Sequence, residues 1–231
     1  MRFALVVCLL CNKFQEDVLT IADFWWRYER KYSCLHCFSA FEKIEKKKVC
    51  LSCFKYCSHE ICQDCRRWQK LYPGYKFRNE SLYFYNEAME EFMQKYKFQG
   101  DYRLRLVFAR EIRRYLKKYK KWLVVPIPIS RKRMLLRGFN QVEGLLEASN
   151  ISFFQVLKKP YDREYQSHKT RGERLQELQS FELMEGGKEK IFQRKVLLVD
   201  DIYTTGRTLF HGFDAIREAQ PSEVRTFTLA R

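Results

Sequence analysis

The stretch VLLVDDIYTTGRTL, residues 196–209, sets two carboxylates at the end of an aliphatic run and follows them with a Thr-Thr-Gly and a third threonine. Unpaired charge is costly to bury, so Asp200 and Asp201 are expected at a solvent-facing strand end with something to bind. Adjacent carboxylates suit ribose hydroxyls, directly or through Mg²⁺. The residues that follow suit a phosphate. Gly206 lets backbone amides approach, Thr204, Thr205 and Thr208 offer hydroxyls, Arg207 stands among them, and a helix starting there turns its positive end toward the anion. A ligand that combines a phosphate, a ribose and a need for Mg²⁺ is phosphoribosyl pyrophosphate.

A second chemistry is written in the cysteines. Eight of nine form four C-x-x-C pairs, Cys8/Cys11, Cys34/Cys37, Cys50/Cys53 and Cys62/Cys65, and none occurs beyond residue 65. In a reducing compartment this pattern points to metal rather than disulfides. Two such turns complete a closed tetrahedral thiolate shell, so four pairs predict two structural Zn²⁺. Sequential pairing puts Cys8, Cys11, Cys34 and Cys37 on one ion and Cys50, Cys53, Cys62 and Cys65 on the other; an interleaved cross-brace is the alternative. Cys57 and His59, between the last two pairs, are either substitute ligands or, for the cysteine, a small buried apolar residue. A redox role needs a thioredoxin-like βαβ context, which is absent.

Those residues need elements to hold them. At 231 residues the chain has room for one ordinary domain and a small appendage. Residues 1–70 form the cysteine-rich module, too short to fold without metal, and residues 71–231 the main domain. There, ESLYFY (80–85), WLVVPIP (122–128), ISFFQVL (151–157), KVLLVDD (195–201) and VRTFTLA read as strands. Asn86 caps a helix that Gly100 ends, Asp101 caps a helix running to Tyr119, and GFNQVEGLLEAS and TLFHGFDAIREA read as two more. Aliphatic strands alternating with helices indicate a parallel sheet covered on both faces. The fold class is a Rossmann-like α/β domain with an N-terminal zinc module, and ligands in such sheets bind outside the carboxyl ends of the strands.

Forty-four Lys and Arg against 28 Asp and Glu give a formal charge of +16, which eight thiolates on two Zn²⁺ lower to about +12. The excess favours anionic partners and says nothing of fold. RRYLKKYKKW (113–122) interleaves cations with aromatics in the manner of single-strand binders, and equally suits the basic end of an amphipathic helix. No segment has the roughly 18 apolar residues of a membrane span. MRFALVVCLLC is a poor leader, since it has one basic residue and Val7 suits no small-residue cleavage site. A cytoplasmic protein is expected.

The aliphatic strand followed by DDxxTTGxTL resembles the ligand motif of type I phosphoribosyltransferases. VPIPISRKRMLLRGFNQ (125–141) resembles the VPIP…RGFNQ signature of the ComF group of phosphoribosyltransferase-like proteins, which also carries an N-terminal zinc module. The resemblance implies a type I phosphoribosyltransferase fold in which Asp200 and Asp201 hold the ribose hydroxyls and Thr204 to Thr208 the 5-phosphate. It also implies that the turn after VPIP replaces the pyrophosphate loop, with Ser130, Lys132, Arg133, Arg137, Gly138 and Asn140 as its candidates. Leu135 and Leu136 interrupt what is often a longer arginine run there. A covering loop is implied for 158–183, where Gln166, Lys169 and Arg174 match the family's character and Glu177 stands in place of an Asn. His168 in that loop is a bystander or a general base.

Three roles follow. The first is an active phosphoribosyltransferase with a nitrogen acceptor. The second is a sensor that binds phosphoribosyl pyrophosphate without turnover, which Glu177 favours. The third, implied by the resemblance and compatible with the second, is a factor in DNA uptake for natural competence, beside a ComF helicase. Single-stranded DNA is a candidate contact, and the zinc module a candidate docking element.

Overall fold

The computed structural model describes residues 3–18, 31–72, 78–160 and 181–231. Its centre is a four-stranded parallel sheet in the order β3-β8-β7-β4, built from β3 (Asn79–Tyr83), β4 (Leu123–Pro126), β7 (Lys195–Ile202) and β8 (Glu223–Ala230). β7 is central and pairs along its length with β8, from Lys195 opposite Glu223 to Ile202 opposite Ala230.

The aliphatic runs make these strands two-faced, as residue alternation requires. Leu197, Val199, Val124, Phe227 and Leu229 share one core with α3 (Glu87–Met93), α4 (Ala109–Leu116) and α6 (Gln141–Ala148). Val196, Leu198, Leu123 and Val125 share the other with α7 (Gly187–Ile191) and α8 (Arg207–Arg217). Cys50, Cys53, Cys62 and Cys65 belong to this second core.

The cysteine-rich segments carry a hairpin, β1 (Phe3–Val7) with β2 (Phe14–Val18), and two helices, α1 (Leu35–Ser39) and α2 (Gln63–Leu71). They attach to the outer edge of β3. Ile44 N donates to Leu82 O at 2.9 Å, Phe84 N to Glu42 O at 2.8 Å, and Asn79 N to Ser52 O, within the third C-x-x-C turn, at 2.7 Å.

Two expected elements differ. The helix capped by Asp101 is broken: a 3-10 turn, Tyr102–Leu106, precedes α4, and another, Lys117–Tyr119, follows it. Phe108 sits at the break, buried against Phe38, Phe41, Tyr83 and Phe92, and that aromatic packing outweighs a continuous helix. The expected strand 151–157 is absent over 151–156. Phe154 N donates once to Val124 O, at 2.9 Å, and the chain then diverges to pair β5 (Leu157–Lys158) antiparallel with β6 (Glu182–Leu183). The helix begun at Asn86 also widens, into a π-helical turn over Gln94–Phe98, before Gly100 ends it at φ +72°.

Candidate phosphoribosyl and metal sites

Asp200 and Asp201 end the buried part of β7, both nearly inaccessible, and line a cavity of about 500 Å³ beyond the carboxyl ends of the strands. The same cavity is lined by Thr204, Arg207 and Thr208 of the following loop and helix, and by Arg133 and Arg137. Gly206 caps α8 at φ +82°, a conformation that favours glycine. An added Cβ there would also strike the Tyr203 ring. Thr205 Oγ1 accepts from Arg207 N at 3.4 Å, and Thr205 O accepts from Trp68 Nε1 at 2.7 Å.

The stretch after VPIP is a helix, α5 (Arg131–Arg137), and not an open turn. Ser130 caps it, accepting from Arg133 N at 3.3 Å, and Gly138 ends it at φ +81°. Asn140 caps α6. Its Oδ1 accepts from Val142 N at 2.9 Å and its Nδ2 donates to Ile127 O and Glu143 Oε1, both at 3.1 Å. Ser130, Gly138 and Asn140 therefore shape the frame, while Arg133 and Arg137 reach the cavity. Lys132 is exposed on α5 and does not line it. Lys169, Arg174, Gln166, His168 and Glu177 lie outside the described residues.

The cavity also holds groups that the sequence reading missed. Lys97, in the π-helical turn, forms an ion pair with Asp201, both side chains nearly buried. Arg137 Nε donates to Lys97 O at 2.9 Å and holds that turn in place. Lys159, Gln141 and His211 complete the polar lining. The signal that could have found Lys97 is the basic run at the end of an amphipathic helix, but its contact with Asp201 spans 104 residues of sequence.

This arrangement splits the acid pair. Burial, then the neighbouring charge of Asp201, pushes the Asp200 carboxyl well above the usual carboxylate range. Burial works the same way on Asp201, but the Lys97 ammonium outweighs it and holds Asp201 below that range. His211 is lowered by burial and by Arg207, so at neutral pH its neutral Nε2 accepts from Arg207 Nε at 3.3 Å. The site therefore offers two carboxyls whose proton affinities are pushed apart and a rim of guanidinium groups. Chemically, that combination suits hydroxyls beside a multiply charged phosphate.

The cysteines gather sequentially. Cys8, Cys11, Cys34 and Cys37 form one group and Cys50, Cys53, Cys62 and Cys65 another, with the ligand atoms of each within 4.8 Å of one another. Cys53 Sγ lies 3.7 Å from Cys62 Sγ, against about 3.8 Å for the edge of a tetrahedron with Zn–S bonds near 2.3 Å. Amides from one pair reach sulfurs of the next: Cys34 N donates to Cys8 Sγ and Cys62 N to Cys50 Sγ, each at 3.3 Å. In the second group, contacts from Cys53 and Cys65 drive the Cys50 thiol down, and the same crowding drives Cys65 up. Such a cage fits a divalent soft-ligand cation. Cys57 and His59 belong to neither group; Cys57 packs beside the second core and accepts from His59 N at 3.4 Å.

Comparison with known proteins identifies the fold and the family. The model of the phosphoribosyl transferase domain matches residues 150–231, and the parallel α/β sheet is that class of domain. The chain is 40% identical over 225 residues to competence protein ComFC of Streptococcus pneumoniae, covering 97% of this chain and 99% of the relative. It is 32% identical to competence protein ComFC of Bacillus subtilis, over 98% and 95%, and 26% identical to competence protein F of Haemophilus influenzae, over 87% and 97%. The chain belongs to the ComFC family of competence proteins. A solved hypoxanthine phosphoribosyltransferase from Staphylococcus aureus matches with a TM-score of 0.33 at 14% identity, over 55% of this chain and 63% of that one, a likeness too slight to speak to function. Among the described residues no helix is long and apolar enough to cross a membrane.

Proposed function

We propose that this protein binds phosphoribosyl pyrophosphate with Mg²⁺ at the Asp200–Thr208 site and takes part in cytoplasmic DNA uptake for natural transformation, beside a ComF helicase, with two structural Zn²⁺ in its cysteine groups. The observation that carries the ligand reading is the buried acid pair at the end of β7, opening on a cavity rimmed by Arg133, Arg137, Lys159 and Arg207. Asp201 and Asp200 take the ribose hydroxyls, and the loop from Thr204 to Thr208 takes the 5-phosphate, as helix N-termini do. The competence role is supported by the names of the relatives.

A second reading, an active phosphoribosyltransferase of nucleotide salvage, is favoured by the placement of Arg133 and Arg137. Cations there stabilise charge that accumulates on departing pyrophosphate. Single-stranded DNA is proposed as a partner for the basic cavity lined by Arg110, Arg114, Lys117, Lys121 and Trp122. Calorimetric titration of the zinc-loaded protein with phosphoribosyl pyrophosphate and Mg²⁺, beside an assay for pyrophosphate release with mixed bases, tests the choice. Binding without release is expected. Base-dependent release establishes the transferase, and absence of binding overturns the ligand reading.

A further inference from the structure

We infer that Trp68, in the cysteine-rich segment, is a positioning residue for the phosphate loop, so that metal in the second four-cysteine group sets the shape of a loop remote from it in sequence. Its consequence for affinity rests on the ligand reading above; its consequence for the loop does not.

Cys62 is the N-cap of α2 and Cys65 lies in its first turn, so the ion that these thiolates would share fixes the start of the helix. Trp68 lies three residues beyond Cys65, on the same side of the helix. Its indole stacks on Phe210 of α8, with ring centroids 4.1 Å apart and planes 16° from parallel. Its Nε1 donates to Thr205 O at 2.7 Å. Across a trans peptide the carbonyl and the next N–H point in opposite directions. Drawing Thr205 O toward α2 therefore turns the Gly206 amide the other way, as an anion-binding loop requires.

Two further contacts brace the same loop, and a third ties α2 to α8. Tyr203 is buried in the core that holds the four cysteines, and its ring lies against Gly206. The Arg231 guanidinium covers that ring, 4.5 Å from its centroid, and donates to Thr204 O at 3.3 Å. At the far end of α2, Tyr72 Oη donates to Asp214 Oδ2 of α8 at 2.5 Å. The loop is thus held from the cysteine side at Tyr203 and Thr205 and by Arg231 at Thr204, while Thr204, Arg207 and Thr208 line the cavity.

Trp68→Phe tests this, because it keeps an aromatic ring for Phe210 while removing the N–H donor along with one ring of the indole. The readouts are zinc content, amide hydrogen exchange over residues 204–208, and phosphoribosyl pyrophosphate affinity with Mg²⁺. The variant is expected to retain two Zn²⁺ per chain and the parent's melting temperature within a few degrees. Exchange of the loop amides should rise about tenfold and affinity fall about five- to tenfold, the scale of one hydrogen bond. Cys65→Ser, which opens the second group, should raise exchange in the same amides. Unchanged loop exchange in Trp68→Phe overturns the inference. Faster exchange in a protein whose parent binds no ligand supports the positioning and overturns the ligand reading instead.

Discussion

Lys97 and Asp201 define the chemistry of the cavity at the scale of single residues. A buried carboxylate needs a counter-charge, and the Lys97 ammonium supplies it to Asp201 before any ligand arrives. Lys97→Met removes that charge and leaves Asp201 buried alone. The expected cost is about 3 kcal/mol at pH 7, read by urea unfolding. Because Asp201 is held below its ordinary value, near 4, the pair's contribution is complete above that pH and is lost as pH falls through the folded value. The gap between the two proteins should therefore narrow in acid; a gap independent of pH would refute the ion pair's role. Asp200→Asn with Asp201→Asn should abolish Mg²⁺-dependent binding of phosphoribosyl pyrophosphate while the protein remains folded, measured by calorimetry and circular dichroism. The acid pair was legible in the sequence because its residues are adjacent. Lys97 was not, since nothing local marks a lysine that will meet residue 201 across the sheet end.

Elements explain which candidates touch the cavity and which build its walls. Asn140 satisfies α6 and ties it to Ile127 O at the end of β4. Asn140→Ala should cost about 1–2 kcal/mol of stability and weaken ligand binding only through that loss; a specific loss of affinity at unchanged stability would return it to the ligand. Gly206→Ala forces a left-handed φ on a residue with a Cβ and crowds Tyr203. A destabilisation of about 1–3 kcal/mol with loss of phosphate affinity is expected in thermal melts and titration. Caps and strand ends were readable because they depend on near neighbours: Asn86 and Gly100 act where the sequence put them. The broken helix at Phe108 and the missing strand at 151–156 were not, because aromatic burial and sheet pairing are settled by distant partners. For the same reason, nothing near Trp68 in sequence marks its contact with Thr205.

For the whole molecule, the two four-cysteine groups matter less as separate beads than as parts of two shared cores. The second group lies in the core that contains Leu198 and Phe210, and Leu9, Leu10 and Phe38 from around the first pack against the other. Residues 42–44 and Ser52 also occupy the outer backbone of β3. Chelation should release two Zn²⁺ and expose eight thiols to a thiol reagent, and indifference to chelator would exclude metal from both groups. Losing the module would do more than loosen the chain, because β3 is an edge strand. Uncovered, its main chain is a template for any other strand. Stripped protein should therefore self-associate in proportion to metal removed, seen as rising light scatter that added Zn²⁺ prevents. The knuckle at Ser52 is then a seal as well as a clasp: it keeps one chain's sheet from continuing into the next.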